Sequence, residues 1–380
     1  MSIFDESTLE QAIIDKLVAE GYSYVSGDNL HRELTDVIIE EDLTEFLTKK
    51  YANNGITISE IQSIIRSLKS ASALPVYDAN KKMFKKMVEG EIFVREDRNS
   101  KDFLLQLIDF NKDDNKNIIK VVNQLTIKSS TSTRRPDAVI YVNGLPVVVM
   151  EFKSAVKEDT TIHDAYVQIT TRYMRDIPEL FKYNCFAVIS DGVNTKAGSI
   201  FSDYEHFYSW RRKAGDEKPS DGIDALDTMI GGMLHPEVLF DIIHNFIYFP
   251  DSDNGKCFKV VASYPQYFAA NKLLNNVLRH KKPGGDGKGG TYFGTTGCGK
   301  SFIMLFLTRL LMHEKSLNSP TILLITDRTD LDEQLSGQFV NSKKFIGDDT
   351  VVEMDSREGL KDVLEKSASG GVYLTDRKSV

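Results

Sequence analysis

The chain has 380 residues, a formal net charge of −8 and three cysteines, Cys185, Cys257 and Cys298, at scattered positions. Such a length supports two or three domains with cores of their own, and the cysteine spacing excludes a secreted disulfide framework or a zinc cluster. No stretch approaches the ~20 apolar residues of a membrane span and no signal-like start is present, so a cytoplasmic protein with no membrane partner is expected.

Leu9, Ile13, Leu17 and Val18 recur at helical spacing and predict an opening helix, with Ser7 and Glu10 as its capping box. Helical patterns follow through EDLTEFLTKKYANN and ISEIQSIIRSLKSA, and β-type residues gather around Ile92 to Val94. FLLQLIDF, IIKVVNQLTI and DAVIYV read as strands between polar turns. Asn143-Gly144, between DAVIYV and LPVVVMEFK, is a strong hairpin signal. Beyond it TIHDAYVQITTRYMRDIPELF reads as helix and NCFAVISDG as a buried strand, an order that predicts a mixed sheet flanked by helices. A connecting region surrounds Trp210 and the charged stretch RRKAGDEKPSDG. A second unit is then expected: the helix SYPQYFAANKLLNNVLRH, a basic glycine-rich loop, the short strand TYF, a glycine-rich motif, a helix and the strand TILLITD, the start of a parallel βαβ fold. The fold class is therefore α/β, with units at 1–225 and 256–380 joined by 226–255.

The densest chemistry lies in RRPDAVIYVNGLPVVVMEFKSA. Asp137 opens one arm of the hairpin, while Glu151 and Lys153, two residues apart on the other arm, share one face beside it. Two carboxylates and an ammonium on one face are costly unless a cation sits between the acids, and Mg²⁺ suits oxygen ligands of this kind. The plainer alternative is a turn-capping Asp137 and a surface ion pair; the apolar VVVM before Glu151 favours a site. The acidic balance argues against indiscriminate DNA coating, yet Arg134 and Arg135 form a local basic patch just before Asp137.

Gly294-Thr295-Thr296-Gly297-Cys298-Gly299-Lys300-Ser301 matches the phosphate-loop pattern between a strand and a helix. Its backbone N–H groups would cradle ATP phosphates, Lys300 would reach the β and γ oxygens, and Ser301 would hold the nucleotide's Mg²⁺.

Pro136-Asp137 with Glu151-Phe152-Lys153 resembles the PD-(D/E)xK nuclease motif, and NQLTI…RRPDAVIYVNGLPVVVMEFKS resembles the restriction subunit of type I restriction-modification enzymes. The resemblance implies a mixed-sheet nuclease domain followed by an incomplete RecA-like parallel α/β domain of a superfamily 2 helicase motor. It further implies Asp137, Glu151, Lys153 and Gln168 as catalytic residues, with Asp137 and Glu151 holding Mg²⁺. That family carries glutamine and tyrosine with three residues between them; here four separate Gln168 from Tyr173, and Arg172 takes the usual tyrosine position. Glu10 matches an acidic residue that some relatives place on the first helix. Gln266 matches an adenine-reading glutamine, and Asp327 and Arg328 match a helicase motif that touches the DNA backbone. The implied activity is ATP-dependent endonuclease cleavage of double-stranded DNA, in company with modification and specificity subunits. No Walker B motif follows Lys300, so the chain is expected to be part of a longer protein. The competing expectation is a nucleotide-binding motor or regulatory module whose nuclease-like domain only docks DNA.

Overall fold

The computed structural model describes residues 6–376 apart from 114, 154–160, 216, 221, 223, 252–256, 327–328, 348–350, 355 and 367–369. Asp327 and Arg328 lie outside the described residues. The fold is mixed α/β, and its contacts divide the chain into Met1–His244 and Asn245–Val380.

In the first unit, α1 (Glu6–Ala19) buries Leu9, Ile13, Ile14 and Leu17 against the sheet and leaves Val18 exposed. Ser7 lies inside this helix rather than at its N-cap. The expected capping box is replaced: both Glu10 oxygens turn to the sheet, accepting from Asn123 Nδ2 at 2.7 Å and Gln124 Nε2 at 2.6 Å. Side-chain amides satisfy a buried carboxylate as well as a helix end would.

After β1 (Ser23–Ser26) come α2 (Glu40–Lys50), α3 (Ile58–Ser70) and α4 (Val76–Val88), each with an apolar face turned inward. α3 starts with a capping box made by Thr57 and Glu60. Glu60 then grips Arg95, which follows the hairpin strand β2 (Glu91–Phe93): Nε reaches Glu60 Oε1 at 2.6 Å and Nη2 reaches Oε2 at 3.0 Å. The expected strand FLLQLIDF is regular only over β3 (Phe103–Leu105), the partner of β2. Burial alone would raise the Glu60 carboxyl, but Arg95 and the Thr57 and Glu96 N–H groups bring it down to about 2. A carboxyl held below its unfolded value of roughly 4.3 stabilises fully above that pH and loses the effect as pH falls through its folded value. Glu60→Gln is therefore expected to melt well below wild type at pH 7, with the gap closing toward pH 2 in a thermal-denaturation series.

The main sheet has the order β1, β4 (Ile119–Asn123), β7 (Ala138–Val142), β8 (Leu145–Phe152), β9 (Phe186–Ser190), β10 (Thr195–Gly198). β1 pairs β4 and β8 pairs β9 in parallel, and the other pairings are antiparallel, as expected of a mixed sheet. In the sequence between β4 and β7, which pair directly, the chain forms a small separate ribbon, β5 (Ile127–Lys128) and β6 (Thr133–Arg134). Every residue of β7 and β8 is buried, which explains their unbroken apolar text: a strand covered on both faces shows no alternation. The Asn143-Gly144 turn takes positive φ at both positions, 51° and 76°, the geometry that two-residue hairpins favour. Gly144 is also fixed by contact, since a Cβ there would strike the Ile39 carbonyl, while Ile39 N–H donates to Gly144 O at 2.9 Å.

The expected helix over 161–181 is broken into α5 (Ile162–Val167), a π-helical turn (Gln168–Tyr173), α6 (Met174–Asp176) and α7 (Pro178–Phe181). α5 packs on β8 and β9. α8 (Asp224–Thr228) and α9 (Pro236–Asn245) bring Leu226, Leu239, Phe240, Ile242 and Ile243 into the core of this unit.

The second unit opens with the short ladder β11 (Ile247–Tyr248) and β12 (Val260–Val261), then α10 (Tyr264–His280) and α11 (Lys300–His313) pack together. Phe246 lies 4.8 Å from Tyr267 and 5.1 Å from Phe306, centroid to centroid. A parallel three-stranded sheet orders β13 (Thr321–Thr326), β15 (Gly371–Asp376) and β14 (Val352–Met354). α12 (Thr329–Val340), α13 (Lys343–Ile346) and α14 (Arg357–Lys366) complete the unit. The expected strand TYF is not formed: residues 291–293 are irregular and Phe293 is 92% exposed. A strand needs a ladder partner, and the described strands of this unit pair only among themselves. Among the described residues no helix is long and apolar enough to cross a membrane.

Candidate active site

The register of β7 on β8, Ala138 opposite Met150, continues to place Asp137 opposite Glu151. Glu151 ends a fully buried apolar run and is itself 1% exposed; Asp137 is 8% exposed. Lys153 emerges two residues later on the face of Glu151. Its Nζ donates to Glu151 Oε1 at 2.8 Å and to the Phe152 carbonyl at 2.9 Å. Asp137 Oδ2 accepts the Phe152 N–H at 2.7 Å, so one oxygen of this carboxylate ties the two strands together.

Gln168 arrives from the π turn, its Nε2 donating to Glu151 Oε1 and, at 2.7 Å, to Tyr173 Oη. Tyr173 Oη in turn reaches the Arg135 carbonyl at 3.3 Å. Burial, with the nearby Glu151 charge, pushes the Tyr173 hydroxyl up and keeps it a donor. Burial and the neighbouring Asp137 charge push Glu151 up to about 8, against the opposing pull of Lys153.

Glu151 Oε2 is buried with no hydrogen-bond partner among the described residues. A buried carboxylate oxygen left open is costly, and the Lys153 ammonium already stands between Glu151 Oε1 and a backbone carbonyl, as a cation would. The oxygens that could serve a cation here are those of Asp137, Glu151 and the Phe152 carbonyl. No group of three His, Cys, Asp or Glu side chains suited to a metal occurs among the described residues. Two carboxylates, a carbonyl and water fit Mg²⁺, which keeps several waters, better than they fit a metal needing a full protein cage.

In the second unit, Gly297 and Gly299 of the glycine-rich loop take φ of 82° and 77°, and α11 starts at Lys300 with Ser301 in its first turn. Lys300 Nζ folds back on the loop, donating to Gly294 O at 2.9 Å and Thr295 O at 2.8 Å. Cys298 N–H closes the turn onto Thr295 O at 3.3 Å, and Thr296 stands exposed. Gln266 occupies the third position of the α10 capping box, its Oε1 accepting the Ser263 N–H at 2.9 Å. Its amide nitrogen stands close enough to Gly299 that a Cβ there would crowd it, so Gln266 and the loop adjoin.

Residues 3–206 match the family model for the type I restriction enzyme R protein N terminus. The chain belongs to that family. Residues 265–376 match the SWI2/SNF2 ATPase model. The HindI endonuclease subunit of a type I restriction enzyme from Haemophilus influenzae is 31% identical across 98% of the chain and 36% of its own length. A putative type I endonuclease subunit, MjaIXP, from Methanocaldococcus jannaschii is 28% identical across 98% of the chain and 37% of its own length. The chain thus spans about a third of these R-protein relatives.

Tyr173 stands one residue outside the family spacing, yet its hydroxyl meets the Gln168 amide. A π turn carries one residue more than an α turn, so the fourth intervening residue is absorbed between Gln168 and Tyr173 and their side chains still meet. Arg172, at the position where the family pattern has tyrosine, is exposed. Two other neighbours gave no motif signal. Asp176 accepts from Arg134 Nε at 2.7 Å and from Arg175 Nε at 2.7 Å, fastening the segment before Asp137 to the helix behind Tyr173. Gln124 N–H donates to the Asp137 carbonyl at 2.9 Å, which brings Glu10, through Gln124, next to the site. On a nuclease reading of the site, Tyr173→Phe, which removes the acceptor that orients Gln168, would slow DNA cleavage about tenfold, measured as a single-turnover rate with the fold checked by circular dichroism.

Proposed function

We propose that this chain is the DNA-cleaving part of the restriction subunit of a type I restriction-modification system, acting on double-stranded DNA with Mg²⁺. The observation that carries the reading is the buried pair Asp137 and Glu151, joined by Lys153 and Gln168 at one end of adjacent central strands.

Asp137, Glu151 and the Phe152 carbonyl would hold Mg²⁺. When bound, Mg²⁺ supplies Lewis-acid polarisation of the scissile phosphate. Lys153 places a positive charge and a hydrogen-bond donor where the attacking water and the phosphate oxygens meet. Gln168 fixes the Glu151 carboxylate, and Tyr173 fixes Gln168. Burial keeps bulk water from competing with these contacts.

We read residues 256–380 as a RecA-like ATPase domain after a nuclease domain at 1–225 and a connection at 226–255. Its phosphate loop, Gly294 to Ser301, would bind ATP, with Ser301 on the nucleotide's Mg²⁺ and Gln266 at the base. In the longer protein, ATP-driven DNA translocation would govern cleavage, with modification and specificity subunits as cytoplasmic partners. The SWI2/SNF2 match supports the nucleotide reading. The test is restriction by an assembly carrying Glu151→Gln: loss of cleavage with assembly and ATP turnover retained is expected, and unimpaired restriction would remove the assignment.

A further inference from the structure

Between Gln124 and Asp137 the chain makes a twelve-residue excursion, residues 125–136, that starts and ends at one backbone hydrogen bond, Gln124 N–H to Asp137 O at 2.9 Å. It rises as the β5–β6 ribbon, with Ile127 opposite Arg134 and Lys128 opposite Thr133. Ser129 N–H donates to Ser132 O at 2.8 Å and closes a tip made by Ser130 and Thr131. At six residues per arm and ~3.3 Å per residue the ribbon reaches at most about 20 Å from Asp137.

The ribbon is braced at its root. Arg32 Nη2 donates to Thr126 O at 2.5 Å, Lys128 N–H donates to Leu34 O at 2.8 Å, and Arg134 is pinned by Asp176. Ile127 faces inward and is buried, whereas Lys128, Ser130, Thr131, Thr133 and Arg135 are exposed.

The composition is one-sided. In a chain of net charge −8, residues 115–136 contain no Asp or Glu, while Lys128, Arg134 and Arg135 lie within the excursion and residues 129–133 are all Ser or Thr. Some exposed lysines elsewhere sit against a carboxylate, as in Lys16 with Asp227, Lys49 with Glu45 and Lys213 with Asp227. The Lys128 and Arg135 side chains enter no ion pair among the described residues. A carboxylate-rich active site repels a polyanionic substrate, so cations beside it must hold the strand in place.

We propose that the β5–β6 ribbon is a DNA-backbone clamp: Lys128, Arg135 and the hydroxyl tip grip phosphates of the duplex beside the bond presented to Asp137 and Glu151. Phosphate oxygens are bound by Arg, Lys, Ser and Thr side chains and by backbone N–H groups, and a two-stranded ribbon fits the ~12 Å major groove. The exposed tip has no large apolar side chain to anchor a protein partner, which favours DNA over a subunit contact. The inference rests on the nuclease reading but is separable from it, because binding and cleavage are measured apart.

The experiment is anisotropy of a labelled duplex with the full 380-residue chain in EDTA, as salt is raised from about 50 to about 200 mM. Lys128→Gln with Arg135→Gln is expected to weaken binding about tenfold and to lower the slope of log K against log salt by about two. Thr131→Glu, which puts a negative charge at the tip without removing a cation, is expected to weaken binding to a similar extent. Lys49→Gln, on α2, should leave both quantities unchanged, and matching melting curves show that the variants fold. The clamp is overturned if the wild-type chain does not bind duplex, or if both ribbon variants keep wild-type affinity and slope. It is equally overturned if they bind DNA normally but fail to join the modification subunit. Persistent cleavage by Asp137→Asn would instead overturn the nuclease reading, whatever the ribbon variants do.

Discussion

Lys153→Ala is expected to lower the single-turnover rate of DNA cleavage by about 10³-fold while leaving duplex affinity within a few-fold of wild type. The ammonium holds two acceptors at once, Glu151 Oε1 at 2.8 Å and the Phe152 carbonyl at 2.9 Å, so its loss removes both the charge beside the phosphate and the link that orients Glu151. Lys153→Arg should rescue little. A planar guanidinium cannot occupy a gap shaped for a compact ammonium whose side chain is only 13% exposed. Gel-based cleavage in excess enzyme checks both variants. A Lys153→Ala chain that cuts within tenfold of wild type would leave Lys153 as a structural partner of Glu151 only.

Lys300→Ala is the second large effect, expected to weaken ATP binding at least about 100-fold, equivalent to roughly 2.7 kcal/mol. Lys300 Nζ rests on the Gly294 and Thr295 carbonyls at 2.9 and 2.8 Å, a position from which it can exchange two neutral acceptors for charged phosphate oxygens at little reorganisation. Titration with a fluorescent ATP analogue measures the loss. Gly299→Ala tests the same loop from its other side. Positive φ disfavours any side chain at Gly299, and a methyl group there would also push the Gln266 amide aside, so nucleotide affinity should fall even though no charge is changed. If Lys300→Ala binds ATP as wild type does, the loop has no phosphate-binding role. Because the two sites lie in different units, Lys153→Ala should spare ATP binding and Lys300→Ala should spare the Asp137–Glu151 geometry.

Much of the first unit was legible because its strongest signals are local. An Asn-Gly step between two apolar runs specifies a hairpin and so brings Asp137 alongside the strand of Glu151, but counting back from that turn sets Asp137 opposite Met150; the register shift between Ile140 and Tyr141, which no local signal reports, moves it opposite Glu151. The unbroken apolar runs of β7 and β8 marked strands covered on both faces. Illegible features depended on long-range partners. Glu10 looked like a helix cap because Ser7 stood three residues before it; only the fold brings in Asn123 and Gln124 as competing donors. Tyr173 looked out of step because residue counting assumes α geometry, whereas the chain winds a π turn between Gln168 and Tyr173. The short strands β1, β5 and β6 carry too few residues for a periodicity to appear, and β6 includes Arg134 of RRPD, whose only local signal is its charge. TYF has strand-like residues but no neighbour to pair with, which no local signal reports.

The measurement that bears most directly on the account is cleavage of duplex DNA in Mg²⁺ by Asp137→Asn beside wild type, with DNA binding followed in parallel. The substitution keeps the shape of the side chain and an acceptor for the Phe152 N–H, but removes one of the two negative charges that would hold the cation. Cleavage abolished with binding retained is the predicted result. Cleavage at the wild-type rate would contradict the claim that Asp137, Glu151 and Lys153 form the cutting site.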